Sequence, residues 1–138
     1  MASANVELVR SIYVAQQRGD FTSAEWAHPA IDYEIVDGPA PGRWKGRVEM
    51  AAAWRELLTP WDDLRIEPQE YRELDDERVV VLTRSSARGK ASGLTLPQAW
   101  TNGAAIYQMR DGKVTRHVVY FDRDRALAEL GISSEGEP

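Results

Sequence analysis

The spacing of apolar and polar positions changes several times along the chain, and those changes divide it into elements. Between Asn5 and Arg18, Val6, Val9 and Ile12 or Tyr13 recur with polar residues between them, which approximates a helical stripe. Ser3 or Asn5 can cap this helix and Gly19 can end it. Asp20 can cap a short second helix over 21–27, closed by His28 because Pro29 biases its predecessor away from the α region. From Ile31 the period falls to two: Ile31, Tyr33 and Ile35 alternate with Asp32 and Glu34, and the same phase carries Asp37 onto the Tyr33 face. A Gly/Pro loop at 38–42 follows, then a helix from Arg47 to Thr59. It has Val48, Ala51, Ala52, Leu57 and Leu58 available for burial and Pro60 just past its end.

The second half of the chain reads as strands. Leu64 to Leu74 and Val79 to Arg88 flank a turn at Asp75-Asp76-Glu77, and a loop at 89–93 leads into the stretch from Ala99 to Asp122. There, two β-branched and aromatic runs flank Arg110-Asp111-Gly112-Lys113, a strong hairpin signal. Asp122 can cap a last helix, Arg123 to Leu130, which Gly131 terminates. Residues 1–4 and 133–138 read as frayed ends of one domain spanning 1–138. Helices early and antiparallel strands late predict an α+β domain in which one sheet curls over the helices.

Composition narrows the possible roles. With 138 residues, 43% of them hydrophobic, the chain can bury one core. Five Trp and five Tyr suit pocket walls and interfaces as well as cores, since each ring pairs a large apolar area with a polar tip. The absence of Cys excludes disulfides and thiolate metal sites, and two His are too few for a His-rich one. Carboxylate metal binding stays open without a supporting motif, and the expectation is a protein without cofactor or metal. A net charge of −5 with scattered basic residues argues against nucleic-acid binding. No stretch resembles a signal peptide or a membrane span, so the expectation is a soluble, cytoplasmic protein.

Several short motifs occur in a fixed order: Tyr13-Val14-Ala15 with Arg18-Gly19-Asp20, the Pro/Gly loop followed by Trp44-Lys45-Gly46-Arg47, Arg110-Asp111-Gly112-Lys113-Val114, and Tyr120-Phe121-Asp122 through Ala126-Leu127. In that order and spacing the chain resembles the SnoaL-like branch of the nuclear transport factor 2-like superfamily. The resemblance implies a cone-shaped, mixed sheet wrapped around three helices, a pocket inside the cone, and homodimers joined through the outer sheet face. It includes ketosteroid isomerases and polyketide cyclases as well as members without known activity, so fold alone does not settle function.

Residue by residue, the resemblance places Asp37 where a ketosteroid isomerase has its general base. It places Tyr13, or Ile12 in a second alignment, at the oxyanion tyrosine, and Ala105 where the isomerase has a protonated acid. Steroid isomerisation is thereby disfavoured. Asp37 is either a pocket base or a turn-capping carboxylate ahead of Gly38-Pro39. The implied facing puts Thr115, His117, Val119 and Phe121 toward the pocket, with Ala105 and Tyr107 beside them, and Arg116, Val118 and Tyr120 toward a partner. A pocket His117 can relay protons. On the preceding strand the alternation Val80, Leu82, Arg84, Ser86 turns Arg84 inward, unless a one-residue bulge reverses the facing. Tyr33, Trp54 and Tyr107 are expected aromatic walls, and Asn102 is an expected hydrogen-bonding group. Two functions follow: a cofactor-free acid/base enzyme acting on a small, partly apolar molecule, with Asp37, His117 and Tyr13 as its catalytic groups, or a non-catalytic small-molecule binding protein.

Overall fold

The computed structural model describes residues 3–18, 25–38, 41–59, 61–89 and 101–131. The element order is α1 (Ala4–Gln17), β1 (Ala27–Ile35), β2 (Gly42–Lys45), α2 (Gly46–Leu58), β3 (Trp61–Glu73), β4 (Arg78–Gly89), β5 (Asn102–Arg110), β6 (Lys113–Tyr120) and α3 (Arg123–Leu130). The six strands form one mixed, unclosed sheet in the order β2-β1-β6-β5-β4-β3. β1 and β6 run parallel and every other neighbouring pair is antiparallel. This is the expected α+β arrangement, with three helices among the described residues.

Local chemistry sets the boundaries. Ser3 Oγ accepts the Val6 amide at 3.2 Å and donates to Glu73 at 2.6 Å, so the first cap also ties α1 to β3. The stripe Val6, Val9, Ile12 and Tyr13 is buried as its spacing predicts. At the β5–β6 turn Asp111 and Gly112 both take positive φ, 54° and 77°, which matches the twist of a two-residue hairpin. Asp122 caps α3 and Gly131 ends it at φ 71°, both as predicted.

Three details differ from the sequence reading. The end of the expected second helix is not helical: Glu25 and Trp26 lie in a turn and Ala27 already opens β1. Pro29 is accommodated because the β1–β6 pairing is interrupted between Ala27 and Asp32, where no ladder donor is required of it. The four-residue β2 was not anticipated, and it is an edge strand too short to show a period. In α2, Met50, Ala53 and Leu57 face the core, whereas Val48 is 82% exposed. Gly19, Asp20, the loop at 90–93, Trp100 and the tail at 133–138 lie outside the described residues.

Both sheet faces carry apolar residues that pack under helices. One packs on α1 and α2 through Val9, Ile12, Tyr33, Val79, Val81 and Tyr107. The other carries Val80, Leu82, Ala104, Val118 and Tyr120 under Ala126 and Leu127 of α3. Arg123, the first residue of α3, donates from its guanidinium to the carbonyls of Gly103 and Thr83 at 3.1 and 2.7 Å and to Gln69 at 2.7 Å. Tyr120 donates to Glu129 at 2.7 Å. The expectation that Val118 and Tyr120 face a partner is therefore corrected: this chain's own last helix buries them. Arg116 remains exposed beside Glu34, which also pairs with Arg43.

Candidate functional site

The site begins as a consequence of strand register. Trp44 on β2 lies opposite Tyr33 on β1, Tyr33 opposite His117 on β6, and His117 opposite Tyr107 on β5. Neighbouring strands are about 4.8 Å apart, so side chains in one cross-strand row on one face must touch. They do: ring centroids are separated by 5.6 Å between Trp44 and Tyr33, 5.3 Å between Tyr33 and His117, and 4.2 Å between His117 and Tyr107. The last two pairs are stacked, with planes 29° and 18° apart. An imidazole is thus clamped between two phenol rings.

Three further elements close this row into a pocket. α1 brings Tyr13 edge-on to Tyr107 at 6.1 Å. Trp26, in the turn before β1, stands edge-on to both His117 and Tyr107. α2 supplies Met50 and Trp54, and β4 supplies the hydroxyls of Thr83 and Ser85. The cavity is partly open and measures about 70 Å³. That is roughly half of the ~150 Å³ cavity known to take up benzene, which limits an unadjusted occupant to a compact molecule.

Electrostatically the cavity is neutral. His117 is only 8% exposed, and its Nδ1 lies 3.2 Å from the Ile106 carbonyl. A carbonyl can only accept, so Nδ1 carries the proton and Nε2 keeps its lone pair. Burial pushes the imidazole down to about 4, only partly offset by the Ile106 hydrogen bond, and the ring is uncharged at neutral pH. Tyr13, Tyr33 and Tyr107 are all raised above the ordinary phenol value by burial and stay protonated as donors. Among the described residues lining the cavity there is no Asp, Glu, Lys or Arg. Nor do the described residues contain a cluster of three or more His, Asp or Glu placed to hold a metal ion.

Five of the residues expected at the site, Tyr13, Tyr33, Trp54, Tyr107 and His117, line this cavity together. Three do not. Asp37 is turned toward the β6–α3 junction, where its Oδ1 accepts the Phe121 amide at 2.5 Å. Its other oxygen is buried without a hydrogen-bond partner among the described residues. Neither reading of Asp37 describes this contact: the carboxylate is absent from the cavity lining, and the amide it meets belongs to the distant Phe121 rather than to the turn at Gly38-Pro39. Arg84 is exposed on the opposite face, because Thr83 and Ser85 hold the inward phase of β4. Asn102 pairs with Arg84 in register and is likewise exposed at the start of β5.

Thr83, Ser85, Trp26 and Met50 escaped the sequence reading. The run Val79-Val80-Val81-Leu82 is buried on both sides, by the core on one face and α3 on the other, so apolar alternation carries no phase there. Trp26 fell within the helix expected before β1.

The comparisons with known proteins agree with this geometry. Residues 9–117 match the model of the SnoaL-like domain. The chain belongs to the SnoaL-like domain family. No curated protein sequence matches it significantly. Among solved structures, this SnoaL-like chain resembles an NTF2-like protein of unknown function from Burkholderia pseudomallei, with a TM-score of 0.76, 23% identity, and 92% of this chain and 97% of that one covered. It also resembles TerC, co-crystallised with polyporic acid, with a TM-score of 0.73, 24% identity, and 93% and 98% covered. A third is a hypothetical protein of ketosteroid isomerase-like fold from Catenulispora acidiphila, in complex with trimethylamine, with a TM-score of 0.68, 12% identity, and 96% and 98% covered. At these identities the likeness establishes the fold.

Proposed function

We propose that this SnoaL-like chain is a small-molecule pocket protein whose cavity holds a compact, uncharged, partly apolar molecule. The observation that carries the reading is the neutral aromatic lining around His117. Aromatic walls supply stacking area, the His117 lone pair and the Tyr, Thr83 and Ser85 hydroxyls supply orientation, and an ionised ligand finds no opposite charge to offset its desolvation. Two of the structural neighbours were crystallised with small organic molecules, which supports the same role here.

The placing of Tyr13 edge-on to Tyr107, which stacks on His117, favours a second reading, cofactor-free acid/base turnover in this cavity. There, Nε2 of His117 would accept a proton and a tyrosine hydroxyl would stabilise the developing oxyanion. Its weakness as a base at neutral pH makes binding without turnover the stronger reading. Both are tested by titrating the labelled protein with neutral aromatic fragments and following the resonances of Tyr33, Tyr107 and His117. Selective shifts at these residues support the pocket. Shifts scattered over the surface, or none at millimolar fragment, overturn it. Appearance of product in the same samples would decide for turnover.

A further inference from the structure

Among the tyrosine donors at its aromatic end, the cavity holds one ring nitrogen that can only accept, that of His117. His117 is more than nine-tenths buried, its Nδ1–H is committed to the Ile106 carbonyl, and its ring forms part of the cavity wall. Nε2 has no protein hydrogen-bond partner among the described residues. A bare imidazole nitrogen accepts and cannot donate. Leaving such an acceptor unmatched beside an apolar or acceptor-only ligand costs the desolvation of that nitrogen, on the order of 1–3 kcal/mol.

The other walls sharpen the demand. Tyr33 and Tyr107 lie against the two sides of the imidazole, so an approach to Nε2 must come in the plane of the ring. Thr83 lies four residues along β4 from Val79, which is level with Tyr107 and His117 in register, placing its hydroxyl some 13 Å away along the strand direction. Between these polar ends the wall includes Ala105 and Val119. A ligand therefore meets the His117 acceptor together with tyrosine hydroxyls at one end, and an apolar middle.

From this arrangement we propose that the cavity selects neutral ligands that carry an N–H or O–H donor, which is delivered to His117 Nε2 while the apolar body lies along Ala105 and Val119. The inference rests on the pocket reading above and adds the class of molecule it takes. His117 is then the specificity-determining residue, acting as a fixed acceptor.

Pyrrole and furan test it, being planar five-membered rings of nearly equal size, one offering an N–H donor and the other only an oxygen acceptor. Binding to the whole protein is measured by chemical-shift titration at pH 7, together with the ¹⁵N shift of His117 Nε2. Pyrrole is expected to bind at least about ten-fold more tightly than furan and to move the Nε2 resonance upfield, as acceptance of a hydrogen bond requires. In His117→Phe, which keeps an aromatic ring in the row but removes the acceptor, the preference should vanish. Should that variant fail to fold, the Nε2 shift in the native protein still decides the matter. Equal affinity for the two rings with no Nε2 response overturns the donor requirement while leaving the pocket standing. Failure of both rings to perturb the cavity resonances overturns the pocket reading itself, and this inference with it.

Discussion

Asp37 Oδ1 accepts the backbone amide of Phe121 at 2.5 Å across 84 residues of sequence, joining the end of β1 to the junction from which α3 departs. One oxygen of the carboxylate that the family resemblance marks as a base is therefore committed to holding these two elements together. Gly38, at φ 85°, belongs to the same join: a Cβ there would fall 2.5 Å from the Phe121 ring. Asp37→Ala should destabilise the fold by about 1–3 kcal/mol, the cost of stranding the Phe121 donor, whereas Asp37→Asn keeps an acceptor and should cost less than about 1 kcal/mol. Urea unfolding measures both. Fragment binding in Asp37→Asn should stay within about two-fold of the native protein, and a large loss there would return Asp37 to the site.

His117 makes stability depend on pH in a predictable direction. Its folded value, about 4, lies below the ordinary 6.5, so between these two the unfolded chain binds the proton and the folded chain does not. Above pH 6.5 both states are neutral and nothing is lost. As pH falls below 6.5 stability declines, by about 2 kcal/mol at pH 5, and the loss levels off near 3 kcal/mol below pH 4. His117→Phe should remove this component. Comparing the pH dependence of unfolding free energy for the two proteins between pH 7 and pH 5 isolates it, and parallel curves would show that His117 is not buried neutral.

How much of this was legible in the sequence follows from how many faces of each strand are buried. On β6 and β5 the alternation around Thr115, His117 and Val119 has a polar counter-phase in Arg116, and with the family resemblance it put His117 and Tyr107 in the cavity. On β4 four consecutive apolar residues erase the phase, so Arg84 was turned inward and Thr83 and Ser85 were missed. Helix α3 could be read from Asp122 and Gly131, but not that it would cover Val118 and Tyr120, since helix placement depends on side chains such as Arg123 that reach distant carbonyls. Asp37 was ambiguous for a different reason. Both its expected roles need a carboxylate at the end of a strand, and neither includes the distant Phe121 amide that it meets in the fold.

Ala105 leaves the space that a larger residue would fill. It is 4% exposed, lies opposite Val119 and Val81 in register, and faces the cavity. Ala105→Leu should occupy much of the 70 Å³ and weaken fragment binding at least ten-fold, at a cost of about 1–3 kcal/mol for overpacking. Binding is read from the titrations described above and stability from urea unfolding. Undiminished binding in a folded Ala105→Leu protein would place the ligand elsewhere.

Arg123 governs the attachment of α3 to the outer sheet face. Its guanidinium reaches the carbonyls of Thr83 and Gly103 and the side chain of Gln69 at once, a set of three acceptors that a single ammonium cannot match in the same geometry. Thr83 and Gly103 are paired in the β4–β5 ladder, so the same contact also steadies the strand segment that carries the Thr83 hydroxyl into the cavity. Arg123→Ala should cost about 1–3 kcal/mol, and Arg123→Lys should recover less than half of it. Amide exchange in α3 should quicken in Arg123→Ala, along with exchange at Phe121 and at the β4–β5 pairs around Thr83, while the hairpin turn at Asp111 and Gly112 stays unchanged. Uniform acceleration over the whole sheet would mean that α3 docks through Ala126 and Leu127 alone and that Arg123 merely follows it.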